Sequence, residues 1–171
     1  ATVTDGVLAF NAATAVPGQY TLTVKDKNGK YASLTATFIL TTTEMPAAYN
    51  KDKDAPALVV ADGHTEDAFT AYLGNITAVS VNGTSYSASG RNSVTIINSD
   101  GSINTGAKTT STAIFGEAGT YELIVSSTGY PDLTFELEVE KAAEVYVLMN
   151  VLYDQFYQEL NNDVAVDIVS S

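Results

Sequence analysis

Apolar and polar residues alternate along most of this chain, the signature of strands with one dry and one wet face. Tyr20, Leu22 and Val24 alternate with Thr21 and Thr23. Leu34, Ala36, Phe38 and Leu40 then alternate with Thr35, Thr37 and Ile39. Asp26-Lys27-Asn28-Gly29 lies between the two runs, and Asn-Gly suits turn positions that need positive φ. Ahead of them, Val7, Ala9 and Phe10 lead to a turn at Pro17-Gly18. Further strands are predicted at 57–60, 76–81, 84–88, 94–97, 112–115, 121–125 and 133–139, with Asn82-Gly83 and Asp100-Gly101 as turns. One stretch has helical spacing instead. Phe69, Tyr72 and Leu73 fall at i, i+3 and i+4. Thr65 is the expected N-cap, Glu66 and Asp67 suit the first turn, and Gly74 is the expected stop as a left-handed C′ residue.

The pattern also repeats. Gly18-Gln19-Tyr20-Thr21-Leu22-Thr23-Val24 and Gly119-Thr120-Tyr121-Glu122-Leu123-Ile124-Val125 are both G-x-Y-x-L-x-V, and each passes through a glycine turn into a second alternating run. Such a pair predicts an all-β chain of tandem immunoglobulin-like β-sandwich modules. The expected division is a small or truncated module at 1–45, a linker at 46–57, a complete module at 58–140 and a C-terminal strand-helix segment at 141–171. The linker rests on two prolines and a mixed charge run. Only seventeen residues precede Gly18, whereas about sixty residues of strand and helix pattern lie between the linker and Gly119. The first copy therefore reads as the closing hairpin of a module begun upstream, or as a very small sheet. The abrupt end at Ser170-Ser171 likewise reads as a cut from a longer polypeptide.

Composition narrows the functional classes. A hydrophobic share of 45%, with 10 Tyr and 6 Phe, argues for packed cores over disorder. A net charge of −12 repels phosphate backbones and anionic lipid, so no nucleic-acid partner is expected. With no cysteine there is no disulfide framework, thiolate nucleophile or cysteine-bound zinc. No apolar run approaches the roughly 20 residues that span a bilayer, so no direct membrane insertion is expected.

The candidate chemistry is sparse. His64, the sole histidine, stands at the helix start and reads as a capping or exposed residue, because no G-x-S-x-G turn offers it a nucleophile. Asn50, Asp52 and Asp54 have the spacing of a calcium loop, but Ala55 and Ala61 replace its glycine and bidentate glutamate. Asp62, Glu66 and Asp67 cluster within one turn, where the helix dipole accounts for them better than glycosidic hydrolysis does. Asn75-Ile76-Thr77 and Asn82-Gly83-Thr84 fit the glycosylation pattern and equally fit strand and turn needs. Tyr146, Tyr153, Phe156 and Tyr157 form the densest aromatic group and read as packing against a neighbouring module. The expectation is therefore no catalytic, cofactor-binding or metal-binding residue, and no cofactor.

A resemblance adds to this reading. Ala68 to Ile76, Val79 to Tyr86, Phe115 to Leu123 and Gly129 to Leu133 resemble a small β-sandwich domain of exported Firmicutes proteins, one similar to the hemoglobin-interacting domain of streptococcal haem-acquisition surface proteins. It covers about residues 58–139. The tail, Val147 to Tyr157 and Val166 to Ser171, resembles part of proteins similar to the treponemal penicillin-binding lipoprotein, yet holds no serine-lysine acylation motif. Together the resemblances imply an extracellular or cell-surface bacterial protein of several modules. The role expected first is a non-catalytic spacer or binding module whose partners are neighbouring domains and a protein ligand. The rivals are an accessory fragment of a penicillin-binding or cell-wall enzyme, and a hemoglobin-binding module.

Overall fold

Alternation and turn chemistry become strands and hairpins as predicted. The structure, a computed structural model, describes residues 2–11, 14–51 and 55–140. The expected C-terminal strand-helix segment, the aromatic group Tyr146, Tyr153, Phe156 and Tyr157, and Asp52 and Asp54 lie outside the described residues. The described elements are β1 (Thr2–Thr4), β2 (Val7–Ala9), β3 (Gly18–Val24), β4 (Leu34–Leu40), β5 (Ala47–Asn50), β6 (Ala57–Val60), α1 (Glu66–Gly74), β7 (Ile76–Val81), β8 (Thr84–Ser87), β9 (Gly119–Ser127) and β10 (Leu133–Val139). The described residues are thus β-rich with one short helix. All its strand pairs are antiparallel.

The main sheet has the order β10-β9-β7-β8. Its strands keep period two. Val79, Val81, Leu123, Val125, Phe135 and Leu137 are buried on one face. Glu122, Thr134, Glu136 and Glu138 stand exposed on the other. A bulge between Ile76 and Ala78 shifts the β7–β9 register by one residue. The inner face is covered by three things. Helix α1 presents Phe69 and Tyr72, the β5–β6 hairpin presents Ala47 and Leu58, and the irregular stretch between β8 and β9 presents Ile96, Ile103, Ala107 and Phe115. Tyr49 stacks on Phe135 with ring centroids 4.3 Å apart, and Phe115 meets Tyr121 edge-on at 5.1 Å. Each fully buried Leu or Val contributes about 1.5–3 kcal/mol of transfer free energy.

Several details differ from the pattern. The stretch read as a linker contains β5, which pairs with β6 from Ala47↔Val60 to Asn50↔Ala57. Its prolines stand outside the paired residues, and Ala47 and Tyr49 supply apolar positions that a charge-run reading overlooks. The strands expected at 94–97 and 112–115 are single bridges, Ile97↔Ile103 and Lys108↔Ala113. Their apolar side chains plug the core from a loop. Gly74 is the last helical residue, and the cap falls on Asn75, whose backbone N–H donates to the carbonyls of Leu73 and Tyr72. Asn75 closes the helix at φ −102°, so no left-handed glycine is needed. At the other end Thr65 Oγ1 accepts from the Ala68 N–H at 3.2 Å, as expected of the N-cap.

The described residues up to 45 form two hairpins, β1–β2 and β3–β4, each a two-stranded sheet. Phe10, Tyr20 and Phe38 pack in a triangle with centroids 5.5–5.8 Å apart. The β3–β4 loop is organised by Asp26, whose carboxylate accepts from the Asn28, Lys30 and Tyr31 N–H groups. Those bonds hold its carboxyl below the ordinary range, with Asn28 the largest contributor. Only Gly29 of the Asn-Gly pair takes positive φ.

Candidate functional site

The hairpins join the main sheet at a seam of close backbone approaches. Gly129, at φ +90°, sits where a Cβ would lie 2.5 Å from the Gly18 nitrogen and 2.6 Å from the Leu40 carbonyl oxygen. Its carbonyl accepts from the Thr42 N–H at 2.8 Å. The Asn75 amide donates to the Ala71 carbonyl at 2.9 Å and the Pro17 carbonyl at 3.5 Å, while the Asn75 carbonyl accepts from the Thr128 N–H at 2.9 Å. Residues 1–139 accordingly form one compact unit.

A groove of about 610 Å³ opens beside this seam. Its apolar walls include Phe10, Val16, Leu40 and Tyr130, and the start of α1 brings His64 and Asp67 to the same groove. Glu44 comes from the connection after β4. Among the described residues no lysine or arginine lines the groove. Burial raises the Tyr130 phenol above its ordinary value, and Tyr20 adds to the shift. Such a groove offers a neutral phenol, an imidazole and two carboxylates over an apolar floor. That chemistry suits an apolar side chain next to a cationic one.

The residues singled out in the sequence take structural places around it. His64 is half-buried with its N–H bonded to the Ala61 carbonyl, so it lines the groove while Thr65 supplies the cap. Asp62, Glu66 and Asp67 are exposed, the last two in the first turn of α1. Asn50 ends β5. Asn82 and Gly83 form the β7–β8 turn at φ 48° and 80°, and Asn82 Oδ1 accepts from the Glu122 N–H at 2.8 Å. Asn75 is the seam residue. Neither asparagine amide is idle. Among the described residues no group of three or more His, Cys, Asp or Glu could hold a metal ion. No described helix is long and apolar enough to cross a membrane.

The sequence reading missed the groove, because its walls come from four separated stretches. It also missed what the two repeat tyrosines do. The Tyr20 hydroxyl donates to the Val16 carbonyl at 2.5 Å. The Tyr121 hydroxyl donates to the Glu117 carbonyl at 2.8 Å and accepts from its N–H at 3.2 Å. Each hydroxyl reaches back four residues, two residues after a glycine at φ +141° (Gly18) or +151° (Gly119). The G-x-Y spacing was the available signal.

Comparison with curated proteins yields no match, and neither does comparison with solved structures. One family profile, described as heme-binding protein Shr-like, Hb-interacting domain, matches residues 48–140. That stretch takes in nearly all of β5 and every element from β6 to β10. It ends before the tail, whose expected likeness to a penicillin-binding lipoprotein gains no support. With more than half of its length matched, the chain belongs to the Shr-like Hb-interacting domain family.

Proposed function

We infer that this chain is a non-catalytic hemoglobin-binding module of an exported bacterial surface protein. The observation that carries the reading is the family match over residues 48–140. The seam groove supports it, since Glu44 and Asp67 beside an apolar floor complement an apolar surface dotted with lysine or arginine. The paired tyrosine bonds support an immunoglobulin-like kinship for both hairpins, because a tyrosine bonded back to upstream backbone marks a corner of such sandwiches.

The test is a titration of the immobilised chain with hemoglobin, beside myoglobin and against an unrelated acidic β-protein on the surface. Saturable binding of hemoglobin by this chain alone is expected. Equal signal on the unrelated protein sinks the reading. Glu44→Gln with Asp67→Asn should slow association and flatten its salt dependence. A labelled β-lactam should leave the chain unmodified; stoichiometric covalent labelling would overturn the non-catalytic part.

A further inference from the structure

β3 and β9 are equivalent strands with unequal company. In their hairpin registers Gly18, Tyr20, Leu22 and Val24 pair with Leu40, Phe38, Ala36 and Leu34, as Gly119, Tyr121, Leu123 and Val125 pair with Val139, Leu137, Phe135 and Leu133. β9 has β10 on one side and β7 on the other, while among the described residues β3 has β4 alone. The outer edge of β3 is therefore the edge that β7 fills on β9. Apolar side chains at the open end of this hairpin are bare: Val24 on β3 is 54% exposed and its β4 partner Leu34 69%. A hollow of about 270 Å³, lined by Leu8, Phe10, Tyr20, Leu22 and Phe38 among others, runs along the strand.

β3 also lacks the devices that keep an edge strand single. It has no charged residue and no proline, and its pairing with β4 is free of bulges. The surrounding charge is low as well. Residues 1–43 hold Asp5 and Asp26 against Lys25, Lys27 and Lys30, so the acidic excess of the chain lies beyond them. Two copies meeting at this end would bring together the least charged part of each.

We propose that β3 pairs antiparallel with β3 of a second copy about a two-fold axis at Thr21. The product is a four-stranded sheet of order β4-β3-β3-β4 across two chains. A two-fold axis normal to a sheet makes identical edges antiparallel, which is the direction of β7 against β9. Side chains alternate faces, so the apolar faces join only in registers that keep parity. Centring on Thr21, the middle of β3, satisfies this: Tyr20 lies opposite the partner's Leu22, and Gly18 opposite the partner's Val24. The inference does not depend on hemoglobin binding.

The cysteine-free chain allows a direct test by single cysteines under mild oxidation. Directly opposed residues have Cβ atoms about 4.5–5.5 Å apart, near enough for the bridge to close with a small shift. Thr21→Cys should give a disulfide dimer. Gln19→Cys and Thr23→Cys should each stay monomeric alone and cross-link when mixed. Thr37→Cys, which pairs with Thr21 from the β4 edge, should not cross-link. All four positions are exposed, so folding is not at risk. The unmodified chain should sediment as a dimer and Thr21→Glu, with like charges opposed, as a monomer. A monomeric unmodified chain, a Thr21→Cys that does not cross-link, or equal cross-linking at Thr37 would overturn the proposal. Those outcomes would leave the edge to a strand from another polypeptide.

Discussion

The hairpin Gly18–Leu40 and the hairpin Gly119–Val139 share a sequence pattern, a register, a glycine conformation and a tyrosine hydrogen bond. They do not share burial. Val125 is fully buried, whereas Val24 in the same position is more than half exposed. Local sequence therefore sets the hairpin, and what lies across from it sets the core. The second copy is covered by α1, the β5–β6 hairpin and the loop carrying Ile96 and Phe115. Among the described residues the first has the Phe10, Tyr20 and Phe38 triangle instead.

The largest separation between the copies should come from truncating their matched leucines. Leu123→Ala opens a cavity in the fully buried face and should cost about 2–5 kcal/mol. Leu22→Ala removes a half-buried side chain beside an open hollow and should cost well under half as much. Urea denaturation of both variants decides it. Equal losses would mean that the first hairpin is as well covered in solution as the second.

Next in size is the joint between the copies. Gly129→Ala puts a methyl group against two backbone segments and strains a left-handed φ, so about 1–3 kcal/mol of stability should be lost. Gly83→Ala has a similar φ with open space around it, which isolates the strain from the clash. If the two cost the same, the seam adds nothing and the hairpins hang freely. Protection of the Thr42 amide from hydrogen exchange, lost in Gly129→Ala, would report the seam itself.

The tyrosine bonds should differ less. Tyr121→Phe leaves both the N–H and the carbonyl of Glu117 without the hydroxyl, while Tyr20→Phe releases only the Val16 carbonyl. Each lost bond is worth about 1 kcal/mol net, so Tyr121→Phe should be the costlier.

Much of this contrast was open to sequence reading. Period-two alternation located β3, β4, β7, β9 and β10, and Asn82-Gly83 set its turn, because strand faces and positive-φ turns leave local marks. The β5 strand was hidden because four residues flanked by prolines and charges carry too little pattern. The stretches at 94–97 and 112–115 mislead for the opposite reason. Their apolar residues are real core residues, but a loop can deliver a side chain to the core without a ladder. The groove and the Asn75–Gly129 seam depend on residues more than fifty positions apart, and no local rule joins those.

The smallest effect concerns the cover over the second hairpin. Tyr72 is the only buried side-chain polar group without a hydrogen-bond partner among the described residues. Its ring packs edge-on against Tyr130 at 5.3 Å, and its backbone carbonyl accepts from the buried Ser127 hydroxyl at 2.8 Å. Burial, followed by the nearby Asp132 charge, raises its phenol above the ordinary value of 10.0. The folded form then holds its proton more tightly than the unfolded chain does. Stability from this group is therefore intact below pH 10.0 and falls as pH rises beyond it, because the unfolded chain ionises first. Tyr72→Phe keeps the ring and removes the stranded hydroxyl. It should leave neutral-pH stability unchanged or raise it by up to about 1 kcal/mol, and it should blunt the alkaline loss. Tyr49 and Tyr130, raised in the same direction, remain to titrate, so some loss persists. Destabilisation of Tyr72→Phe at neutral pH would mean that the hydroxyl has a partner in solution, such as an ordered water, and that the cover owes part of its hold to that bond and not to the ring alone.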